Sequence, residues 1–279
     1  MTRRTTGAAP SPATIAKATG LPVRYAAPGY ALLQADAVEL AQALPPASVD
    51  MVFADPPYRL SNGGSTCASG ERVRVDKGSW DEAASWADDH AYNLRWLSAV
   101  QRVLAPSGTL WVSGTQHVVF SLGFALQELG YNLLNVITWY KPNAAPNLAC
   151  RQFTHSTEFL LWAAPAVQRP LAHVFNYDAM RAQAGDRQMR DLWQLGPPGP
   201  AEKAQGKHPT QKPLQLVERC IAASTHRGAL VLDPFAGSCT TGVAAQALGR
   251  RFLGSDINAA YLGLGARRLG HPHAPPRKE

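Results

Sequence analysis

Residues 229–269, ALVLDPFAGSCTTGVAAQALGRRFLGSDINAAYLGLGARRL, decide the fold. The apolar run Ala229–Leu232 stops at Asp233-Pro234, passes through Gly237 and Ser238, and gives way at Thr241–Leu248 to apolar residues at helical spacing. Arg251–Gly254 is a second short run and Ala259–Leu269 a second helical pattern. Short buried runs alternating with amphipathic stretches predict strand–helix units, and so a mainly parallel sheet with helices on both faces: an α/β fold.

The same alternation continues toward the N-terminus. Strands are predicted at Tyr30–Gln34, Val49–Ala54, Thr109–Ser113, Leu133–Tyr140 and Glu158–Ala163. Helices are predicted at Val38–Leu44, closed by Pro45-Pro46, and at Ala91–Leu104, Val118–Leu129 and Leu214–Ser224. Residues 61–80 are rich in Gly and Ser and read as a long mobile loop. Residues 165–207 have weak periodicity, broken at Pro197-Pro198 and Pro200. Residues 1–28, rich in Ala, Thr and Pro, read as a flexible tail, and 271–279 as a second tail. One domain is therefore expected over 29–270.

Composition limits the function classes. With 46% hydrophobic residues the chain can bury a sizeable core, which excludes global disorder. A net charge of +7 suits a polyanionic partner. Cys67, Cys150, Cys220 and Cys239 form no CxxC pair, so no metal and no disulfide framework is expected. Reduced thiols point to the cytoplasm. No apolar run reaches the roughly 18 residues of a membrane span, so no membrane partner is expected.

Three segments carry chemistry. Asp55-Pro56-Pro57-Tyr58 follows the Val49–Ala54 strand, and ligands in open α/β sheets sit at the carboxyl ends of strands. The Asp55 carboxylate and the Pro56 carbonyl can each accept one hydrogen of an exocyclic amino group. That aims the nitrogen lone pair at an electrophile. Pro57 stiffens the turn, and Tyr58 can stack on a base taken out of a duplex. The plain alternative is an Asp-Pro turn. In the second segment Gly237 permits close backbone approach, and Ser238, Thr240 and Thr241 offer donors at a helix start. The third is Asp256, about 20 residues on, the spacing of a ribose acceptor. A helix cap before Ala259 competes for that carboxylate.

DPPY at 55–58, KHPTQKP at 207–213 and DPFAGSCTTG at 233–242 together resemble the β-order DNA amino-methyltransferases, across roughly residues 30–269. FADPPYRLSNGG, VDKGSWD, NAAPNLACRQFTHSTE and GKHPTQKP are similar to adenine methyltransferases of type II restriction–modification systems, of the GATC- and GANTC-acting kinds. The resemblance implies a Rossmann-like methyltransferase fold with a seven-stranded sheet in which Glu158–Ala163 is antiparallel. It implies S-adenosylmethionine as cofactor, transfer to adenine N6 and a DNA partner, double-stranded or single-stranded. It allows a homodimer and a cognate restriction endonuclease. It implies that Asp36 contacts the cofactor adenine and Asp256 the ribose, and that Asp55 also borders the cofactor. Asp233, Phe235, Gly237, Ser238, Thr240 and Thr241 would surround the methionine moiety, while His208, Thr210 and Lys212 close the pocket. One departure is Cys239, where the family usually has a second glycine. A Cβ there is expected to crowd the cofactor or to strain a left-handed backbone.

Arg72, Arg74 and Lys77 in the loop after DPPY, and Arg187 and Arg190 farther on, are candidate phosphate contacts. Arg151, beside Phe153 and His155, is a candidate base reader. The bland reading of each is a solvated basic surface. Transfer to cytosine N4 remains the nearest alternative, although family members acting there more often carry Ser at position 55. An RNA or protein-glutamine methyltransferase is a more distant one. Methylation at cytosine C5 is disfavoured, because no Pro-Cys nucleophile occurs.

Overall fold

The computed structural model describes residues 9–58, 65–68, 71–74, 85–165 and 172–271. Eight helices and eleven strands alternate along these residues. The first part of the chain forms α1 (Pro12–Ala18), β1 (Val23–Ala27), β2 (Tyr30–Leu33), α2 (Ala37–Ala43) and β3 (Val49–Ala54). A hairpin, β4 (Ser65–Ala68) and β5 (Glu71–Arg74), is followed by α3 (Trp86–Val103), β6 (Leu104–Gly114), α4 (Val119–Glu128), β7 (Asn132–Tyr140) and β8 (Thr157–Ala164). The remainder is α5 (Tyr177–Gln183), β9 (Leu192–Gln194), α6 (Leu214–Ser224), β10 (Leu230–Asp233), α7 (Thr240–Ala247), β11 (Arg251–Ser255) and α8 (Ala259–Arg268).

Nine strands form one sheet in the order β1-β2-β11-β10-β3-β6-β8-β7-β9. The strands from β2 to β6 in that order are mutually parallel, and β8 runs antiparallel to both β6 and β7. The seven expected strands, with the antiparallel one where the resemblance put it, are the inner part of this sheet. It is wider than expected because β1 pairs antiparallel with β2 at one edge and β9 pairs parallel with β7 at the other.

Alternate residues of each central strand serve opposite faces. Ala31, Leu33, Val52, Ala54 and Leu232 pack with α1 to α4, whereas Tyr30, Leu32, Met51, Phe53 and Val231 pack with α5 to α8. Both faces are covered, which explains the unbroken apolar runs.

Three expectations change. Residues 11–27, read as part of a flexible tail, are ordered. Ser11 caps α1 through the Thr14 N–H, Pro12 opens the helix, and Ala16 is fully buried against the core. Its sequence PATIAKA has one large apolar side chain, Ile15, so no apolar stripe marks the helix in sequence. Within 61–80 the backbone of β4 and β5 pairs as an antiparallel hairpin instead of a loop. Within 165–207, α5 and β9 supply structure that the weak periodicity hid.

Candidate active site

The carboxyl ends of β2, β11, β10 and β3 open into one pocket of about 650 Å³. Asp36 follows β2, Asp55 and Pro56 follow β3, Pro234 and Phe235 follow β10, and Asp256 follows β11. Tyr58, Tyr92, His208, Thr210, Gly237 and Tyr261 complete much of the wall.

The Gly237 loop is held from three sides. Asp256 Oδ2 accepts the Gly237 N–H at 2.9 Å, and its Oδ1 accepts the Asn258 N–H at 2.8 Å. The cap of α8 is Asn258, which accepts from the Ala260 N–H, so Asp256 is not the helix cap. Burial pushes the Asp256 carboxyl above its usual range, against two N–H donors that favour the ionised form. Gly237 has φ +48, and a Cβ there would lie 3.0 Å from His208 Nε2. The absent side chain is what lets the His208 ring close over the loop.

Asp233 faces inward. It accepts the Phe235 N–H at 3.0 Å and the Thr241 hydroxyl at 2.6 Å, and burial raises its carboxyl to about 7. Arg268 donates to the Ser238 carbonyl at 2.6 Å and contacts the Ser238 and Thr240 hydroxyls at 3.0 and 2.9 Å. Asp233, Ser238, Thr240, Thr241 and Lys212 therefore border a small adjoining cavity of about 30 Å³ and not the large pocket. Cys239 borders neither; it adopts φ 57, ψ 37 and is fully buried. The expected left-handed backbone is present, but the sulfur does not crowd the pocket.

Three side chains converge on the Asp55 carboxylate. The hydroxyls of Ser113 and Tyr58 lie 2.5 and 2.6 Å from Oδ1, and Lys212 Nζ donates to Oδ2 at 2.6 Å. Lys212 also sits 4.8 Å from the centre of the Tyr58 ring and 3.9 Å from Glu158 Oε2. Burial and the Asp55 charge push the Tyr58 hydroxyl well above the phenol range, so it remains a donor.

A family model for N6/N4 methyltransferases, described as DNA methylase, matches residues 49–267. The chain is 48% identical over 238 residues to the Type II methyltransferase M2.DpnII of Streptococcus pneumoniae, across 85% of this chain and 88% of the relative. The chain belongs to the N6/N4 DNA methylase family.

Solved structures agree with this placement. The M1.HpyAVI–SAM complex is 28% identical, with a TM-score of 0.62 over 86% of this chain and 98% of that one. The cytosine-N4-specific PvuII DNA methyltransferase, at 19% identity, shares the fold with a TM-score of 0.70 over 92% of both chains. The enzyme is a DNA methyltransferase with S-adenosylmethionine as methyl donor. The pocket fits that group: it has apolar walls, three carboxylates (Asp36, Asp55 and Asp256) for hydroxyl and amino donors, and a volume within the usual range for small-molecule sites.

Other site expectations fall apart spatially. Arg151 is exposed on the loop after β7, whose C-terminal end lies on the pocket side of the sheet. Arg187 and Arg190 line a separate groove beside β9 with Arg219 and Leu192, away from the pocket. Arg72 and Arg74 lie on the β5 backbone, and Lys77 is outside the described residues. Ser113, Tyr92, Glu158 and Tyr261 were not singled out from sequence. Ser113 ends a predicted strand and Glu158 begins the expected antiparallel one, both at the ligand edge, so these two had a signal; Tyr92 and Tyr261 had none. Among the described residues no helix is long and apolar enough to cross a membrane, and no cluster of three or more His, Cys, Asp or Glu could hold a metal.

Proposed function

We propose that the enzyme methylates N6 of an adenine extruded from a short DNA site. The observation that carries this is the Asp55-Pro56 turn at the end of β3, bordering the pocket, with the Asp55 carboxylate oriented by Ser113 and Tyr58. The bound cofactor supplies an electrophilic methyl group. The Asp55 carboxylate and the Pro56 carbonyl accept the amino hydrogens and direct the lone pair. Pro57 stiffens the turn, and the Tyr58 ring offers a stacking surface to the base. Asp256 accepts ribose hydroxyls, Asp36 faces the cofactor adenine, and Phe235, Gly237, His208 and Thr210 enclose the remainder. Asp233, Thr241, Ser238 and Thr240 support this loop from behind.

The carboxylate at position 55 favours adenine over cytosine. GATC and GANTC duplexes, and the corresponding single strands, are the substrates to test first. With DNA as substrate, we place the enzyme in the cytoplasm. A homodimer and a cognate restriction endonuclease belong to the same reading; sedimentation of the pure protein and sequencing of the neighbouring genes test them. Digestion of DNA methylated by the pure enzyme, followed by mass spectrometry, should yield N6-methyladenine, and none with Asp55→Ala. N4-methylcytosine as the sole product would overturn the base assignment.

A further inference from the structure

Lys212 and Glu158 form a pair whose arrangement the pocket alone does not explain. Lys212 is 6% exposed at its side chain and Glu158 14%. Glu158 Oε1 binds Lys141 Nζ at 2.8 Å. Its Oε2 is buried without a hydrogen-bond partner, and Lys212 Nζ stands 3.9 Å away, already committed to Asp55 Oδ2. A buried carboxylate oxygen beside a lysine that points elsewhere is a costly arrangement unless that lysine uses both positions.

The chemistry at Asp55 supplies a reason to move. A carboxylate has about four lone-pair sites, and two hydroxyls and an ammonium already fill three. An amino group docking on Oδ2 shares that oxygen with Lys212. Its nitrogen then lies within about 6 Å of the lysine nitrogen, taking a hydrogen-bond length of about 3 Å on each side. That nitrogen becomes cationic as the methyl group arrives. A second cation so near, in a site with little water, opposes the transition state. Moving Lys212 toward Glu158 Oε2 relieves the repulsion and satisfies the orphan oxygen at once.

We propose that Lys212 is a two-position latch, resting on Asp55 before the target base docks and passing to Glu158 as it does, and that Glu158 is a positioning residue acting through Lys212. In the resting position the ammonium holds the Asp55 carboxylate in orientation. In the other it leaves Oδ2 to the substrate amino group. This rests on the proposed role of Asp55. Full activity in Asp55→Ala would sink that role, whereas the experiment below addresses the latch by itself.

The test is a double-mutant cycle on the single-turnover methylation rate with Glu158→Gln, Lys212→Met and the double variant. Glu158→Gln keeps the shape and an acceptor for Lys141 but removes the charge that receives Lys212. It should slow turnover by about 10-fold, the scale of coupling within one ion-pair network, with cofactor affinity unchanged. In the Lys212→Met background the same substitution should change the rate by less than about 2-fold. Equal losses in both backgrounds, or no loss in either, would overturn the latch. Thermal unfolding checks that each variant folds. If Glu158→Gln does not, Glu158→Asp, which keeps the charge but withdraws it by one methylene, reads the same coupling.

Discussion

The sulfur of Cys239 occupies the space that a side chain at Gly265 would need. A Cβ built on Gly265 would overlap the sulfur and lie 2.9 Å from the Cys239 Cβ. Where α7 meets α8, a thiol on one side is accommodated by a missing side chain on the other. Gly265→Ala should therefore destabilise by roughly 1–3 kcal/mol through overpacking. Cys239→Gly relieves a left-handed residue, worth about 1 kcal/mol, but empties a packed site of comparable value. Its net effect should be small, with cofactor affinity unchanged. The double variant should recover most of the loss from Gly265→Ala. Chemical denaturation checks this; strictly additive losses would show that the two positions do not share the space.

Asp256 is expected to matter for the cofactor and not for α8. Asp256→Ala removes the proposed ribose acceptor and frees the Gly237 N–H, while Asn258 still caps the helix. Cofactor binding should weaken by roughly 1–3 kcal/mol, the range for a hydrogen bond to a charged group. Calorimetry measures it, and circular dichroism should show the helix content preserved.

Asp233 should make stability depend on pH. Burial raises its carboxyl to about 7 from an unfolded value of 3.8. Below the unfolded value both states are protonated and the contribution is complete. Between the two values the folded state holds the extra proton, so stability falls as pH rises, by up to about 1.4 kcal/mol per pH unit. Asp233→Asn keeps an acceptor for the Phe235 N–H and cannot ionise. Thermal unfolding from pH 4 to 8 should show wild type losing stability relative to Asp233→Asn. Parallel curves would mean that the carboxylate is ionised in the folded protein throughout.

The arginines should separate by position. Arg151 is on the pocket side of the sheet, so Arg151→Ala should alter target preference with little change in the salt dependence of binding. If the groove beside β9 holds phosphates, Arg187→Ala or Arg190→Ala should lower the log–log salt slope by about one unit and weaken all sequences alike. Binding titrations at several salt concentrations distinguish the two. Unchanged slopes would remove the β9 groove from the DNA surface.

The alternation of Ala229–Leu232, Thr241–Leu248, Arg251–Gly254 and Ala259–Leu269 was enough to specify the α/β class, because period and apolar run length are local properties. Asp55, Asp233 and Asp256 were legible for a similar reason, since each stands at or just after a strand end, whereas Asp36, which caps α2, came from the family resemblance alone. Two short elements were not: α1 and β9, of 7 and 3 residues, carry no clear apolar pattern, and only their partners make them stable.

What the sequence determined by itself is therefore the set of strand–helix units and the chemistry at their ends. The tertiary structure decided which ends meet. Lys212 and Asp55 are 157 residues apart, and Ser113 is 58 from Asp55, yet Lys212 and Ser113 both reach the Asp55 carboxylate, with Glu158 beside Lys212. That follows from β3 lying between β10 and β6, with the antiparallel β8 beside β6 bringing Glu158 back to the same edge. It also turned Asp233 inward and Cys239 toward Gly265, away from the pocket that both had been expected to border. Local spacing fixes where a residue sits on its own element. Which oxygen finds which donor depends on the sheet order, and so on packing between segments that the chain keeps far apart.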